Sequence, residues 1–522
     1  MKTHTLALAG ITAAASSILL PTSSFCSDAP HPNTPRPNIL IILADDLGYG
    51  DVGFTGCKDI RTPNIDRFAA TSVRLDNFHV CPISSPSRAG LMTGRWPLRY
   101  GLMKAVIPPW QDYGLPLTEK ILPQYLADAG YDERAMFGKW HLGQNRLAFL
   151  PANRGFTTFY GLYNGSFSGA NGYFTHKREG QTDWHRDIPG KVSTVHEEGY
   201  STDLLATDAI KFIEKDHAGK PWLAYVAFNA VHEPLDAKPD DLAKYKGLGD
   251  TPQDAPRLGR DGQILKGGGN GSAGKSGGKK GKAGDERNRR QTYAAMTDSL
   301  DQNVGRILAA IDKLPDAANT IVLFFSDNGG LLPFSRNLPY RGGKLSVYEG
   351  GIHIPAVIRW PAAGLTGGKT SNALIGYIDI VPTLIAAAGL PLPPKDSPNA
   401  LDGIDIIPVL RGEKPAPERP WISYFDQDND PAASLILGDW KLVAHGGDVL
   451  NPGKTPATAY ELYNLAKDRS EKNDLAKSNP EILRRLKAQL AGFGKIEVPG
   501  VATRKEGEQG FTAPQDWIIT KP

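Results

Sequence analysis

Cysteine is nearly missing from this chain: its 522 residues contain three, Cys26, Cys57 and Cys81. A disulfide-stapled scaffold is thereby excluded, because frameworks of that kind need several pairs in a short chain. Charge of one sign is lacking as well, since 59 Lys and Arg stand against 56 Asp and Glu, for a formal net charge of +3. This balance supplies no global field for nucleic acid or a membrane surface, so any preference for an anion must be built locally. Long apolar runs are also scarce. The apolar and small-residue run over residues 6–20, behind Lys2, is shorter than the roughly 20 residues of a membrane-spanning helix. Followed by Ser23-Ser24-Phe25-Cys26-Ser27, it reads as a signal peptide over residues 1–27 and implies a periplasmic or secreted protein. Phe25 before Cys26 fits a lipoprotein signal poorly. If Cys26 leaves with the signal, Cys57 and Cys81 either pair in an oxidising compartment or remain as two buried thiols. No internal repeat is present.

What the chain does contain is a hydrophobic fraction of 40%, enough for a sizeable core. Continuous apolar runs at residues 38–43, 222–228, 321–325 and 356–358 read as buried parallel strands, with helical patterns at 202–215 and 290–313 between them. The expected architecture is α/β, a large mixed and mostly parallel sheet flanked by helices. Asp45 and Asp46 follow the first run, His232 the second, and Asp327 and Asn328 the third. Ligand sites in open α/β sheets lie beyond the carboxyl ends of the strands, so three segments deliver polar groups to one edge. Residues 262–284 are almost devoid of apolar side chains and read as a flexible basic insertion, a solvated linker rather than a polyanion site. Proline-rich stretches at 391–398 and 415–417 mark the approach to a smaller unit. There, 435–437, 440–443 and 460–463 look like short antiparallel strands ahead of a helix near 481–490. The expected division is a catalytic domain over 36–414 and an α+β subdomain over 415–522.

Six short segments carry chemistry. Ser84-Ser85-Pro86-Ser87-Arg88, continued by Ala89-Gly90-Leu91-Met92-Thr93-Gly94-Arg95, places Ser84 just before a helix, whose first N–H groups and positive dipole end favour an anion. Read alone, it is also an ordinary turn that caps a helix. Asp45-Asp46 and Asp327-Asn328-Gly329 offer the hard oxygens that Ca²⁺ prefers, although each is by itself a common turn sequence. Gly138-Lys139-Trp140-His141 sends Lys139 and His141 to one side of an extended segment by alternation. Val231-His232-Glu233-Pro234 and Arg341-Gly342-Gly343-Lys344 add His232 and Lys344.

The Ser84 stretch resembles the sulfatase signature, in which Cys or Ser, any residue, Pro, any residue and Arg precede a helix ending near Leu-Thr-Gly. Cys81 does not fit it, since Pro82 follows and Ser85 stands where the arginine belongs. The resemblance runs from about residue 38 to 476, where Glu461-Leu462-Tyr463-Asn464-Leu465 and Asn473-Asp474-Leu475-Ala476 resemble the family's C-terminal segment. It implies a formylglycine (3-oxoalanine) made from Ser84 by a maturation enzyme. Its hydrate attacks sulfur with one hydroxyl and expels sulfate through the other, an exit that a plain serine lacks. It further implies one Ca²⁺ held by Asp45, Asp46, Asp327, Asn328 and residue 84. Lys139 and Lys344 are implied on the sulfate, His232 beside the leaving oxygen, His141 as base toward residue 84, and Arg88 as its orienting group. Serine in place of the commoner cysteine implies the radical-type bacterial modifying system. His353 has no assigned place.

The implied activity is removal of sulfate from a sulfated carbohydrate, with Trp184, His185 and Arg186 as subsite groups on a variable loop. Two other functions remain open at this level. A phosphate or phosphonate ester hydrolase on the same sheet would need ligands for two metals about 4 Å apart, and Asn328 stands where a histidine ligand would help the second. A non-catalytic protein that captures sulfated glycans would leave Ser84 unmodified.

Overall fold

In the computed structural model, residues 35–248, 289–426, 431–451, 459–498 and 511–517 are described. The expected signal peptide and the basic insertion lie outside them. Strand β1 (Asn38–Ala44) is the axis of the sheet, and every residue in it is buried. Its alternation feeds two separate cores: Ile39, Ile41 and Leu43 point to one face, Leu40, Ile42 and Ala44 to the other. A strand buried on both sides needs no polar alternation, which is why the sequence reads as one apolar run.

Eight more strands complete the sheet: β2 (Val73–Leu75), β3 (Glu133–Lys139), β4 (Thr158–Leu162), β5 (His185–Asp187), β6 (Trp222–Ala227), β7 (Thr320–Ser326), β8 (Ala356–Arg359) and β9 (Lys369–Ser371). Their order is β9-β2-β8-β7-β1-β6-β3-β4-β5. The central strands β7, β1, β6, β3 and β4 run parallel. Contrary to the expectation for residues 356–358, β8 is antiparallel to β7. The chain leaves β7 at Asp327, loops over the carboxyl edge and returns directly, with no crossover to restore the direction.

Helices α1 (Pro63–Thr71), α3 (Ser201–Ile213) and α4 (Arg289–Ile311) bury Ile65, Leu205, Ala209, Met296 and Leu300 on one face of the sheet. Helices α2 (Ser84–Thr93) and α5 (Ile380–Ala387) cover the other with Leu91, Met92, Val381 and Leu384. Cys57 belongs to the first core and Cys81 to the second, and both are free thiols. The sheet between them settles the alternative left open by the sequence. Near the C-terminus, β10 (Trp421–Phe425), β11 (Ala432–Leu437), β12 (Trp440–His445) and β13 (Ala459–Asn464) form an antiparallel meander, followed by α6 (Pro480–Gly494). Ile422, Leu435, Leu442 and Leu462 join the α2 core, so this smaller sheet is fused to the large one by shared apolar packing. Among the described residues, no helix is long and apolar enough to cross a membrane.

Candidate functional site

The parallel register of β1 with β7 sets Ala44 against Ser326, so the next residues, Asp45 and Asp327, leave the sheet side by side. Their backbones stay paired: Asp327 N donates to Ala44 O at 3.1 Å, and Asp45 N donates to Ala230 O at 2.9 Å. Asp46 then turns into the left-handed region at φ 61°, a conformation that aspartate tolerates better than most residues. Asn328 Nδ2 donates to Asp46 Oδ1 at 2.7 Å, tying the ends of the two strands together.

Helix α2 brings Ser84 to this point as its first residue, and all ten of its residues are buried. Gly94 ends the helix in the left-handed conformation at φ 69°, with its N–H on Gly90 O at 2.8 Å. Ser84 Oγ lies 3.4 Å from Asp45 Oδ1 and 3.2 Å from Asn328 Oδ1, and accepts from Lys139 Nζ at 3.3 Å. Lys139, at the end of β3, also grips both Asp45 oxygens at 2.9 and 2.7 Å. One turn along α2, Arg88 donates from Nε to Asp327 Oδ2 at 2.9 Å and from a terminal nitrogen to Lys139 O at 2.8 Å. Lys344 Nζ reaches Asp46 Oδ2 at 2.7 Å, and His232 Nε2 lies 3.6 Å from the same oxygen.

His141 departs from the sequence expectation in its backbone. It sits past the end of β3 at φ 59°, so simple alternation does not set its direction. Its place is fixed instead by Ser85 Oγ, which donates to His141 O at 2.9 Å, and by Gly165, where an added Cβ would come within 2.6 Å of the imidazole. His141 Nδ1 is buried with no hydrogen-bond partner among the described residues. The structure thus gathers Asp45, Asp46, Ser84, Arg88, Lys139, His232, Asp327, Asn328 and Lys344 through direct contacts, with His141 joined to them through Ser85.

Burying this many charges moves their protonation in opposite directions. Burial, with neighbouring Asp327 adding to it, pushes the Asp45 carboxyl up to about 8 against the pull of Lys139 and Arg88. Burial also works to raise Asp46, but Lys344, His232 and Lys139 outweigh it and hold that carboxyl far below the usual range. Burial lowers Lys139 despite Asp45, whereas Asp46 and Asp45 overcome burial at Lys344 and raise it. Burial and Lys344 bring His232 down to about 3. Burial, then Lys139 and Arg88, hold His141 well below the ordinary imidazole range, so both rings are neutral at neutral pH. Asp45, Asp46 and His232 each present a ligand atom within 4.8 Å of the others, a spacing suited to a metal ion.

The subsite residues expected from the sequence are placed elsewhere. Trp184 and His185 are wholly buried at the β5 edge of the sheet, the indole Nε1 on Tyr160 OH at 3.0 Å and the imidazole stacked on Tyr163 at 3.9 Å. Arg186 lies outside them, its guanidinium 4.0 Å from the Tyr160 ring and paired with Asp208. Residues 185–187 form a short strand rather than a loop, because the pairing of Gly161 with His185 leaves no mark in their polar sequence. Ser85 and Gly329 stand in the sequence motifs, but the contact of Ser85 with His141 O and the close approach of Gly329 to Gly350 O have no local signal beyond the Gly-Gly dipeptides at 329–330 and 350–351.

The sulfatase family model matches residues 37–390, and a model described as the C-terminal part of N-sulphoglucosamine sulphohydrolase matches 343–495. Human arylsulfatase A is 32% identical over 485 residues, covering 86% of this chain and 86% of its own length. Human N-acetylgalactosamine-6-sulfatase is 32% identical over 428 residues, covering 78% of this chain and 71% of its own. Among solved structures, Ps i-CgsB in complex with k-i-k-neocarrahexaose superposes with a TM-score of 0.73 at 29% identity, over 90% of this chain and 95% of that one. With its strand-end carboxylates, its Ser-x-Pro-x-Arg helix start and a sulfatase model matched over the whole large sheet, this chain belongs to the sulfatase family of sulfuric ester hydrolases.

Proposed function

We propose that the chain removes sulfate from a sulfated carbohydrate, using a formylglycine made from Ser84 by a maturation enzyme, together with one calcium ion. One observation carries this reading: Ser84 Oγ starts a buried helix within hydrogen-bonding range of Asp45, Asn328 and Lys139 at once. The donor set fits a hard dication, for Asp45, Asp46, Asp327 and Asn328 supply oxygen ligands from two adjacent strand ends. Bound there, calcium supplies Lewis-acid polarisation of a sulfate oxygen. The oxidised form of residue 84 supplies a nucleophile that need not end as a stable sulfo-serine. The unpartnered, buried Nδ1 of His141 fits a proton acceptor in the same site.

The remaining roles follow from the chain's own side chains. Lys139 and Lys344 neutralise the peripheral oxygens of the ester, whose charge persists through the transition state. Arg88, fastened to Asp327 and to Lys139 O, holds the start of α2 against both strand ends. His232 donates from Nδ1 to Glu233 O at 2.6 Å, which turns the Nε2 lone pair toward Asp46. The negative charge of a bound ester raises the proton affinity of Nε2, which takes up a proton from solvent as the ester binds and passes it to the leaving oxygen, with Lys344 Nζ beside it. His141 Nδ1 takes the proton released as sulfate departs. The cations on Asp45 and Asp46 stand where a second metal would need ligands, which supports a single ion. The relatives named for N-acetylgalactosamine-6-sulfate hydrolysis and the neighbour complexed with a neocarrahexaose support a sulfated sugar as substrate.

Mass spectrometry of the proteolytic peptide containing residue 84 tests the reading, alongside turnover of sulfate monoesters and phosphate diesters. Loss of two hydrogens from residue 84 together with sulfate release is expected. Full activity in protein bearing only serine would overturn the mechanism, and a preference for the diester would overturn the substrate class.

A further inference from the structure

A second buried cluster of charged and titratable side chains lies outside the site and takes no part in the chemistry above. Its centre is Glu349, which opens the short helix Glu349–Ile352 immediately after the loop that carries Lys344. Glu349 Oε2 meets His79 Nε2 at 3.0 Å and His353 Nδ1 at 2.8 Å, while Oε1 accepts from Lys441 Nζ at 2.8 Å. Lys441 belongs to β12 of the smaller sheet and also contacts Glu471 Oε1 at 2.8 Å; Glu471 Oε2 in turn accepts from Glu349 N at 2.8 Å. Each of these five side chains is at most 3% exposed.

His79, Glu349 and His353 have the spacing of a metal site, but their valences are already filled. His353 Nε2 is taken by Asp76 O at 2.8 Å, and an ammonium caps the far oxygen of Glu349. This is a closed clamp. What it clamps leads straight to the active site. Gly350 N donates to Arg341 O at 2.7 Å, Gly329 N donates to Gly351 O at 2.9 Å, and Lys344 N donates to Gly330 O at 3.1 Å. The backbones approach so closely that a Cβ on Gly329 would fall 1.9 Å from Gly350 O, and one on Gly351 1.9 Å from Ser346 O. With no side chain between them to absorb a shift, a displacement of Glu349 is passed to Gly329, next to Asn328, and to the loop of Lys344. The same loop is tied to the smaller sheet a second time, by Arg341 on Tyr463 OH at 2.9 Å and Tyr348 OH on Glu461 at 2.8 Å.

We propose that Lys441 and Glu471 are positioning residues for the sulfatase reaction: through Glu349 they hold Lys344 at the leaving-group oxygen, making the small C-terminal sheet a working part of the active site. The inference rests on the role proposed for Lys344. It therefore makes a distinction that loss of folded protein cannot imitate. A misplaced Lys344 harms esters with poor leaving groups more than esters with good ones, whereas a smaller folded fraction lowers both equally.

The experiment measures kcat/KM of the matured protein for para-nitrophenyl sulfate and phenyl sulfate in Lys441→Met, Glu471→Gln and Lys344→Ala. Glu471→Gln keeps the shape of the side chain and remains informative if the buried carboxylates exposed by Lys441→Met prevent folding. The expected result is a loss of about 10-fold on phenyl sulfate against no more than about 2-fold on the nitrophenyl ester in Glu471→Gln, with Lys344→Ala showing the same bias more strongly. Equal losses on both esters in Glu471→Gln, beside a biased loss in Lys344→Ala, would overturn the inference alone. Equal losses in Lys344→Ala as well would overturn the role given to Lys344 and this inference with it.

Discussion

Two buried charge clusters sit within one loop of each other, and they are built on opposite rules. Around Glu349, both carboxylate oxygens have partners, and the ammonium of Lys441 is shared by two acids. Around Ser84, Asp45 Oδ1 and the Asn328 oxygen meet at one hydroxyl, burial with neighbouring Asp327 drives Asp45 up to about 8, and His141 Nδ1 has no partner among the described residues. Buried polar groups ordinarily find partners, so the lone Nδ1 of His141 and the raised carboxyl of Asp45 mark a place built for something other than stability. The first cluster holds loops in place; the second gathers the groups to which the proposed chemistry is assigned.

The comparison breaks most easily at residue 84. Ser84→Ala is expected to lower sulfate ester turnover by about 10⁴-fold or more with an unchanged circular dichroism spectrum, because the proposed nucleophile is gone while a small buried side chain remains. Next in size, Lys139→Ala or Lys344→Ala should cost about 10²- to 10³-fold in kcat, as expected for removing one preorganised charge from the transition state. Native folding in these variants, checked by thermal unfolding, separates them from the closed cluster. The proposed calcium site predicts that a chelator abolishes turnover and lowers Tm and that added Ca²⁺ restores both, since an ion that binds only the folded chain stabilises it by mass action.

The cluster around Glu349 should also respond to pH. Burial first, then Glu349, raises Glu471 to about 7 against Lys441, from an ordinary value of 4.5. The folded chain therefore binds more protons at this group than the unfolded chain does. Its contribution to stability is fully present below about 4.5 and is lost as pH rises toward 7. Glu471→Gln should flatten that slope in a Tm-against-pH series. The smallest effect on catalysis belongs to Trp184→Ala, which should cost about 3–5 kcal/mol of stability through a core cavity yet leave kcat/KM of the folded protein within about 2-fold.

The parts of this arrangement legible in the sequence are those that leave a local mark. A strand buried on both faces announces itself as an apolar run, and β1, β6 and β7 stand within two residues of where the runs place them. The acids beyond their ends were readable for the same reason. Strand β3 was not, because Glu133 and Arg134 open it and Gly138 interrupts it; only pairing with β6 and β4 makes it a strand. Direction was hidden too. Nothing in residues 356–358 distinguishes an antiparallel return from a parallel crossover, and that depends on the loop over the sheet edge. His353, without an assigned role in the sequence, acquires one only when Glu349 and His79 arrive from segments that are distant in the chain.

The separation of Cys57 and Cys81 by the thickness of a β-sheet has a practical side. Neither thiol constrains the other, so among the described residues no disulfide ties the architecture to the redox potential of the compartment in which it forms. Each sulfur is also a reporter for one layer of helices: the rate at which a thiol-reactive label reaches Cys57 clocks the opening of the α1 side, and the rate at Cys81 that of the α2 side.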